Sequence, residues 1–374
     1  MTGRSVSDPV RERAIIVPED ARVVEEFELK RTAGHIPRGS APMPVAPEYA
    51  TETPWIGPNG AVMRRLELHL TYHCAERCVF CSEEHRMEAY HEFQVTWGRV
   101  ATILRTHAAR GVQNVHFTGG EPTLHPQFIE VCMLARKLGM RTSVGTIGTM
   151  LARPDYAARA VPYLDEALFS LHGPNAEIND RLTRRQGSFE QTTTAIRNTL
   201  AVNPNFNLYV NTVVTKHNID ALPDTIAFAE SLGAKLIVVS NTTPEGGGFD
   251  KYRELGVPLA KLAEVVPKAG ARAHKAIVRF FGMPMCLLGP YDVLSNDLHW
   301  DPRVTVEWSS KPGKVVFEGL YNWTPDRKRK RVDACERCAR NTVCMGVYDR
   351  YADLYDTGEL RPYGEPMAAA QAGD

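Results

Sequence analysis

Six short apolar runs rich in β-branched residues, each followed by a stretch of helical periodicity, dominate the middle of this 374-residue chain. They read LELHLTY, NVHFTG, RTSVGTIG, EALFSLHG, FNLYVNTVVT and KLIVVS. Near-continuous apolar runs of this length suit parallel strands covered by helices on a face. The helical patterns cover Trp97–Arg110, Pro126–Leu138, Asp155–Tyr163, Phe189–Val202, Leu222–Leu232 and Leu259–Ala273. Gly111, Gly139 and Gly233 stand just past a last turn, where a left-handed cap ends a helix cleanly. Six β/α units between residues 66 and 275 predict one parallel sheet curled into a full or partial barrel, an α/β fold of the (β/α)6 type. In such barrels chemistry gathers at the C-terminal strand ends, where the βα loops converge.

The flanks differ. Residues 1–63 hold proline-rich stretches such as HIPRGSAPMPVAPEY and PWIGPNG, predicting a loose arm with one short strand or helix around Ala21–Lys30. Residues 276–374 break the alternation and are loop-rich, with a hairpin read from RVTVEW, KPGK and VVFEGLY. The expected parts are therefore an arm (1–63), a barrel (64–275) and a C-terminal cysteine-bearing domain (276–374). Lys+Arg and Asp+Glu both number 44, so no global field points to nucleic acid or an anionic membrane. Neither a signal peptide nor a membrane span is visible, and a cytoplasmic location is expected. Disulfides are disfavoured there, so the eight cysteines point to metal ligation if their spacing supports it.

The spacing does. Directly after the first strand comes Cys74-Ala-Glu-Arg-Cys78-Val-Phe-Cys81. Zinc also takes thiolates, but usually from two C-x2-C pairs or with added histidine; three thiolates on one tight loop suit an iron–sulfur cubane with one iron left open. Gly119-Gly120-Glu121-Pro122 follows at the end of the second strand.

Cys-x3-Cys-x2-Cys after the first barrel strand, with an aromatic before the last cysteine, resembles the signature of the radical S-adenosylmethionine (SAM) superfamily, and the Gly-Gly-Glu-Pro element resembles its second motif. The resemblance spans residues 64–275. It implies that Cys74, Cys78 and Cys81 hold a [4Fe–4S] cluster whose fourth iron is chelated by SAM. One electron then cleaves SAM to methionine and a 5′-deoxyadenosyl radical that abstracts hydrogen. It implies further that Gly119 and Gly120 let backbone approach the ligand, that Glu121 accepts from the SAM ammonium with Pro122 fixing the turn, and that Phe80 borders the adenine. Ser170 matches a family position that meets the ribose or carboxylate of SAM, Thr146 and Asn211 are placed to meet the ribose, and Arg181 resembles a family arginine that pairs with the carboxylate. His172 lies nearby and reads as structural. Flavodoxin or ferredoxin is the reductant such a cluster implies.

Of the remaining cysteines, Cys132 lies on the apolar side of a barrel helix and reads as core. Cys335, Cys338 and Cys344 form a C-x2-C-x5-C segment, and Cys286 offers a fourth thiolate. Spacing alone leaves a fully ligated cluster and a structural zinc equally open. Behind a radical SAM barrel, the segment resembles the SPASM and shorter twitch extensions, which implies an auxiliary [4Fe–4S] cluster acting as an electron relay. The basic run Arg327–Arg331 offers a docking patch for an anionic partner or a solvated hairpin face. The arm is too irregular for a leader-binding winged-helix module, so the reading at this stage favours oxidation or epimerisation of a small-molecule natural-product precursor. Modification of a ribosomally made peptide is the alternative, and a non-enzymatic metal-binding scaffold the third.

Overall fold

A computed structural model describes residues 22–24, 29–31, 50–56, 60, 62–322 and 325–364. Its centre is a run of seven parallel strands, β3 (Arg65–Thr71), β4 (Asn114–Gly119), β5 (Arg141–Thr146), β6 (Glu166–Ser170), β7 (Asn207–Val214), β8 (Leu236–Asn241) and β9 (Ile277–Phe281), each paired with the next in chain order. Helices cross between them: α1 (Glu84–Tyr90) and α2 (Trp97–Ala109), then α3 (Phe128–Lys137), α4 (Pro154–Ala160), α5 (Ala176–Thr183), α6 (Ser188–Val202), α7 (Leu222–Ser231), the short α8 (Gly247–Asp250) and α9 (Tyr252–Leu255), and α10 (Leu259–Gly270). The six predicted strands and six predicted helices are all present. Gly111, Gly139 and Gly233 have φ of 79°, 76° and 95°, the left-handed caps their positions required.

The parallel order does not stop at residue 275, because β9 pairs with β8 as a seventh strand. Its outer edge carries only an isolated bridge, Phe280 to Ser295, among the described residues, so the barrel is partial. The predicted hairpin forms as β10 (Arg303–Lys311) and β11 (Lys314–Asn322), but it joins the main sheet: β10 runs parallel to β3 and antiparallel to β11. The region around Ala21–Lys30 contributes two short strands, β1 (Arg22–Val24) and β2 (Leu29–Arg31), both parallel to β11. The rest of the predicted arm before Ala50 lies outside the described residues. Beyond the sheet, β12 (Arg329–Lys330) and β13 (Val347–Tyr348) pair with each other, and α11 (Asp349–Leu354) follows.

Alternation on β3 shows why the barrel has an apolar outer face and a polar inner one. Leu66, Leu68 and Leu70 are fully buried, as are Val115 and Phe117 of β4, against the crossing helices. Each such side chain stabilises the fold by about 1.5–3 kcal/mol. On the other face, Glu67 meets Arg303 of β10 at 3.1 Å. No described helix is long and apolar enough to cross a membrane.

Candidate functional site

The cysteine loop after β3 is clamped by backbone from three sides. Gly120 N–H donates to Thr71 O at 2.6 Å and Glu121 N–H to His73 O at 2.7 Å, tying the loop start to the end of β4. Arg77 and Val79 N–H groups donate to Thr183 O and Leu182 O at the end of α5, and Gly247 N–H donates to Cys81 O at 2.9 Å. A Cβ on Gly119 or Gly120 would run into the Thr71 or His73 carbonyl, so these glycines serve first the approach of two backbones rather than a ligand. Gly246 and Gly248 meet the carbonyls of Cys81 and Thr243 in the same way. The Glu245-Gly-Gly-Gly248 loop after β8 is thus part of the site. Sequence reasoning missed it, although three successive glycines past a strand were a visible signal.

The loop closes a cavity of about 310 Å3 at the C-terminal edge of the strands, lined by Cys74, Cys78 and Cys81 together with residues from β4 to β9. Burial pushes the Cys74 thiol up to about 11, Cys81 up to about 12, and Cys78 upward as well. Bare, these thiols stay protonated, so ionising all three calls for a bound cationic centre. Among the described residues, the only trio of histidine, cysteine or carboxylate ligand atoms all within 4.8 Å of one another is His69, Glu83 and Glu307. The cysteine sulfurs therefore stand wider than one tetrahedral ion with bonds of about 2.3 Å would gather them.

Phe80, Gly119, Gly120, Thr146, Ser170 and Asn211 line this cavity as predicted, joined by His172, Ser240, Asn241, Thr243 and Phe281. Glu121 differs from expectation. Its carboxylate is fully buried and accepts from Thr123 N–H and hydroxyl and Thr146 hydroxyl on Oε1, and from Ile147 N–H at 2.7 Å on Oε2. Only Oε2 keeps an acceptor position to spare, burial raises the pKa, and the carboxylate lies just behind the cavity wall rather than in its lining. Thr146 spends its hydroxyl on Glu121 rather than presenting it to a ribose, and accepts from Gly148 N–H besides. Pro122 opens the 3-10 turn Pro122–Leu124 and is buried away from the cavity. Arg181 is a correction: it is exposed on α5, donates to His217 O at 2.9 Å, and is not among the lining residues. Its helix faces outward because Leu182 and Asn179 take the buried side.

Ser170 offers its hydroxyl to the cavity, while Asn211 fixes its amide by accepting from Ser240 Oγ at 2.7 Å. His172 packs edge-on to Phe80 at 4.7 Å between ring centres. Its Nδ1 accepts from Val213 N–H, and burial pushes its pKa down to about 3, so the ring is neutral with the proton on Nε2. Cys132 is buried in α3, as its helical position predicted.

The other four cysteines meet elsewhere. Cys286, Cys335, Cys338 and Cys344 line one small cavity of about 20 Å3, with Met285, Arg331, Gly346 and Tyr363 around it. Cys344 Sγ accepts from Met285 N–H at 3.5 Å and Gly346 N–H at 3.4 Å. Burial pushes Cys286 up to about 11 and Cys344 upward. The basic run divides: Arg329 turns inward as bracing, while Arg327, Lys330 and Arg331 stay exposed. Arg329 is buried, bidentate to Asp297 at 3.0 and 3.1 Å, and donates to Gly346 O at 2.7 Å. Arg331 donates to Cys344 O, Lys330 pairs with Asp353, and Arg327 pairs with Glu245 at 2.6 Å.

Residues 68–229 match the profile of the Radical SAM superfamily. The chain carries a radical SAM superfamily domain. Among curated relatives, a PqqA peptide cyclase of Rhodopseudomonas palustris is 31% identical over 199 residues, covering 53% of this chain and 52% of the relative. The mycofactocin maturase MftC of Mycobacterium ulcerans is 32% identical over 191 residues, covering 51% and 50%. The chain thus spans about half the length of the curated relatives it matches. The solved structure of anSMEcpe with bound AdoMet and Kp18Cys peptide superposes with a TM-score of 0.57 at 14% identity, covering 80% of this chain and 92% of that one. Streptococcus suis SuiB bound to the precursor peptide SuiA superposes with a TM-score of 0.55 at 14% identity, covering 81% and 75%. These structures share the radical SAM fold.

Proposed function

We propose that this protein is a radical SAM enzyme that modifies a peptide, with a [4Fe–4S] cluster on Cys74, Cys78 and Cys81 and a second one on Cys286, Cys335, Cys338 and Cys344. The observation that carries the reading is the convergence of exactly three thiols on a polar cavity that six strands of the sheet help to line. When bound, the cluster and SAM supply a 5′-deoxyadenosyl radical able to abstract hydrogen from an unactivated carbon. The chain's own share is to hold the loop, orient SAM and keep water out. Oε2 of Glu121 has its remaining acceptor position for an ammonium, Ser170 and the Asn211 amide suit hydroxyl groups, and Phe80 with neutral His172 gives an apolar wall suited to a purine.

The relatives named as a peptide cyclase and a maturase turn the preference away from the small-molecule substrate that the irregular N-terminal arm suggested. The four-cysteine cavity supports a closed second centre, since every ligand position of one iron–sulfur cubane has a thiol. The test is anaerobic reconstitution with iron and sulfide, followed by SAM, dithionite and precursor peptides encoded beside the gene. Deoxyadenosine release coupled to a peptide that has lost hydrogens is the expected result. Deoxyadenosine release coupled only to oxidation of a small molecule overturns the peptide reading.

A further inference from the structure

The inward face of the sheet carries four arginines on alternate strand positions, and three have carboxylate partners. Arg303 pairs with Glu67 at 3.1 Å, Arg141 with Glu166 at 3.8 Å and Arg65 with Asp301 at 3.9 Å. The fourth is Arg279 on β9. Val278 and Phe280 are the buried residues of that strand, with Phe280 close to Gly270 of α10, so the period of two turns Arg279 and Phe281 to the opposite, inward face, while Ile277 at the strand start is exposed. Phe281 lines the cavity described above, and Arg279 lies two residues before it on the same face, outside that lining. By register, Arg279 lies opposite Val238, Val238 opposite Asn211, and Asn211 opposite Ser170, which puts Arg279 on the same rung of the sheet as two polar lining residues.

Nη1 of Arg279 is buried and has no hydrogen-bond partner among the described residues, and no described carboxylate pairs with it. Burial lowers its pKa, with no acid opposing the effect. A guanidinium partly withdrawn from water without a counter-charge is costly to the fold, and its planar fork matches a carboxylate in two parallel hydrogen bonds. Deepening the proposed function, on which it rests for the existence of a substrate, we propose that Arg279 is the anion-binding residue of the substrate subsite in the lumen, and that the substrate presents a carboxylate there.

Two sources share that chemistry, an acidic side chain of a peptide and a free dicarboxylic acid. The test uses the full chain reconstituted with iron and sulfide, saturated with SAM and without reductant. N-acetyl-glutamate methylamide, its glutamine counterpart and glutarate are titrated by ligand-detected NMR. The wild type is expected to bind the glutamate probe about tenfold or more tightly than the glutamine probe, as a charge-assisted pair would give. Arg279→Gln is expected to erase that ratio, and Arg279→Lys to retain part of it, with melting curves checking that each variant folds. Should Arg279→Gln fail to fold, Arg279→Lys is decisive, because the ratio must still fall when a fork becomes a point charge. Tighter binding of the amide-capped probe assigns the carboxylate to a peptide, and tighter binding of glutarate assigns it to a free acid; both uphold the subsite. Equal binding of the glutamate and glutamine probes by the wild type, or a ratio untouched by both variants, overturns it. Deoxyadenosine release by the wild type is measured apart, so a failure of the radical SAM reading is told from a failure of the anion subsite.

Discussion

The two cysteine sites offer the same ligand atoms in opposite architectures. The first places three thiols at the mouth of a cavity of about 310 Å3 and leaves the remaining wall to polar side chains of the strands. The second surrounds about 20 Å3 with four thiols and seals them with backbone and an internal ion pair. A centre short of one protein ligand needs room for an external one, whereas a fully ligated centre needs only a rigid shell. On the proposed reading, the first site is built for exchange and the second for permanence.

The largest expected effect follows from that contrast. Cys74→Ala, Cys78→Ala or Cys81→Ala should reduce deoxyadenosine release to background while removing about four irons per chain. The same substitution at Cys338 should remove iron yet leave SAM cleavage measurable. Iron analysis beside product chromatography reads both; equal loss of SAM cleavage from the two sites breaks the comparison.

Next in size is Arg329→Met. It leaves Asp297 buried without its counter-charge, which costs about 3–5 kcal/mol. The expected result is a lower denaturation midpoint, and an unchanged midpoint would show that the ion pair does not brace the second site. Gly282→Ala should cost less, about 1–3 kcal/mol. Gly282 has φ of 71° and its added Cβ would strike the Tyr348 phenol, which stands between Thr243 of the first cavity and the strand behind Cys344. Thermal melting checks it.

A change of solvent rather than of sequence separates the regions by acid. His107, His116 and His172 all belong to the barrel side, and burial pushes their pKa values down to about 4, about 3 and about 3. Below their ordinary value of about 6.5 the unfolded chain binds protons that the folded chain refuses. Stability therefore falls as pH drops through that window, by up to about 1.4 kcal/mol per pH unit for each histidine. Denaturant melts between pH 7 and pH 4.5 should show this slope, and replacing His172 with Gln should lessen it.

Much of this was legible in the sequence, for reasons that explain the remainder. Six strands and their helices announced themselves because one face of each is wholly apolar, as Leu66, Leu68 and Leu70 show. Helix α5 escaped because its eight residues bury Asn179 and Thr183 beside a single leucine, leaving no apolar period to read. Strand β9 and the hairpin were read as a break because pairing of β10 with β3 spans more than 230 residues of chain, which local pattern does not encode. The cysteine spacings marked the two groups of thiols that share a cavity in the fold, Cys74, Cys78 and Cys81 in one and Cys335, Cys338 and Cys344 with Cys286 in the other. The work of Thr146, the outward turn of Arg181 and the burial of Arg329 depend on which way side chains point in the assembled fold.

Electron paramagnetic resonance of the reduced protein, with and without SAM, tests the contrast most directly. Compared are two variants, one lacking Cys74, Cys78 and Cys81 and the other lacking Cys335, Cys338 and Cys344. The account predicts that SAM shifts the cluster signal of the second variant and leaves that of the first unchanged. A SAM-dependent shift in the variant without the first three cysteines, or none in the variant that keeps them, would contradict it.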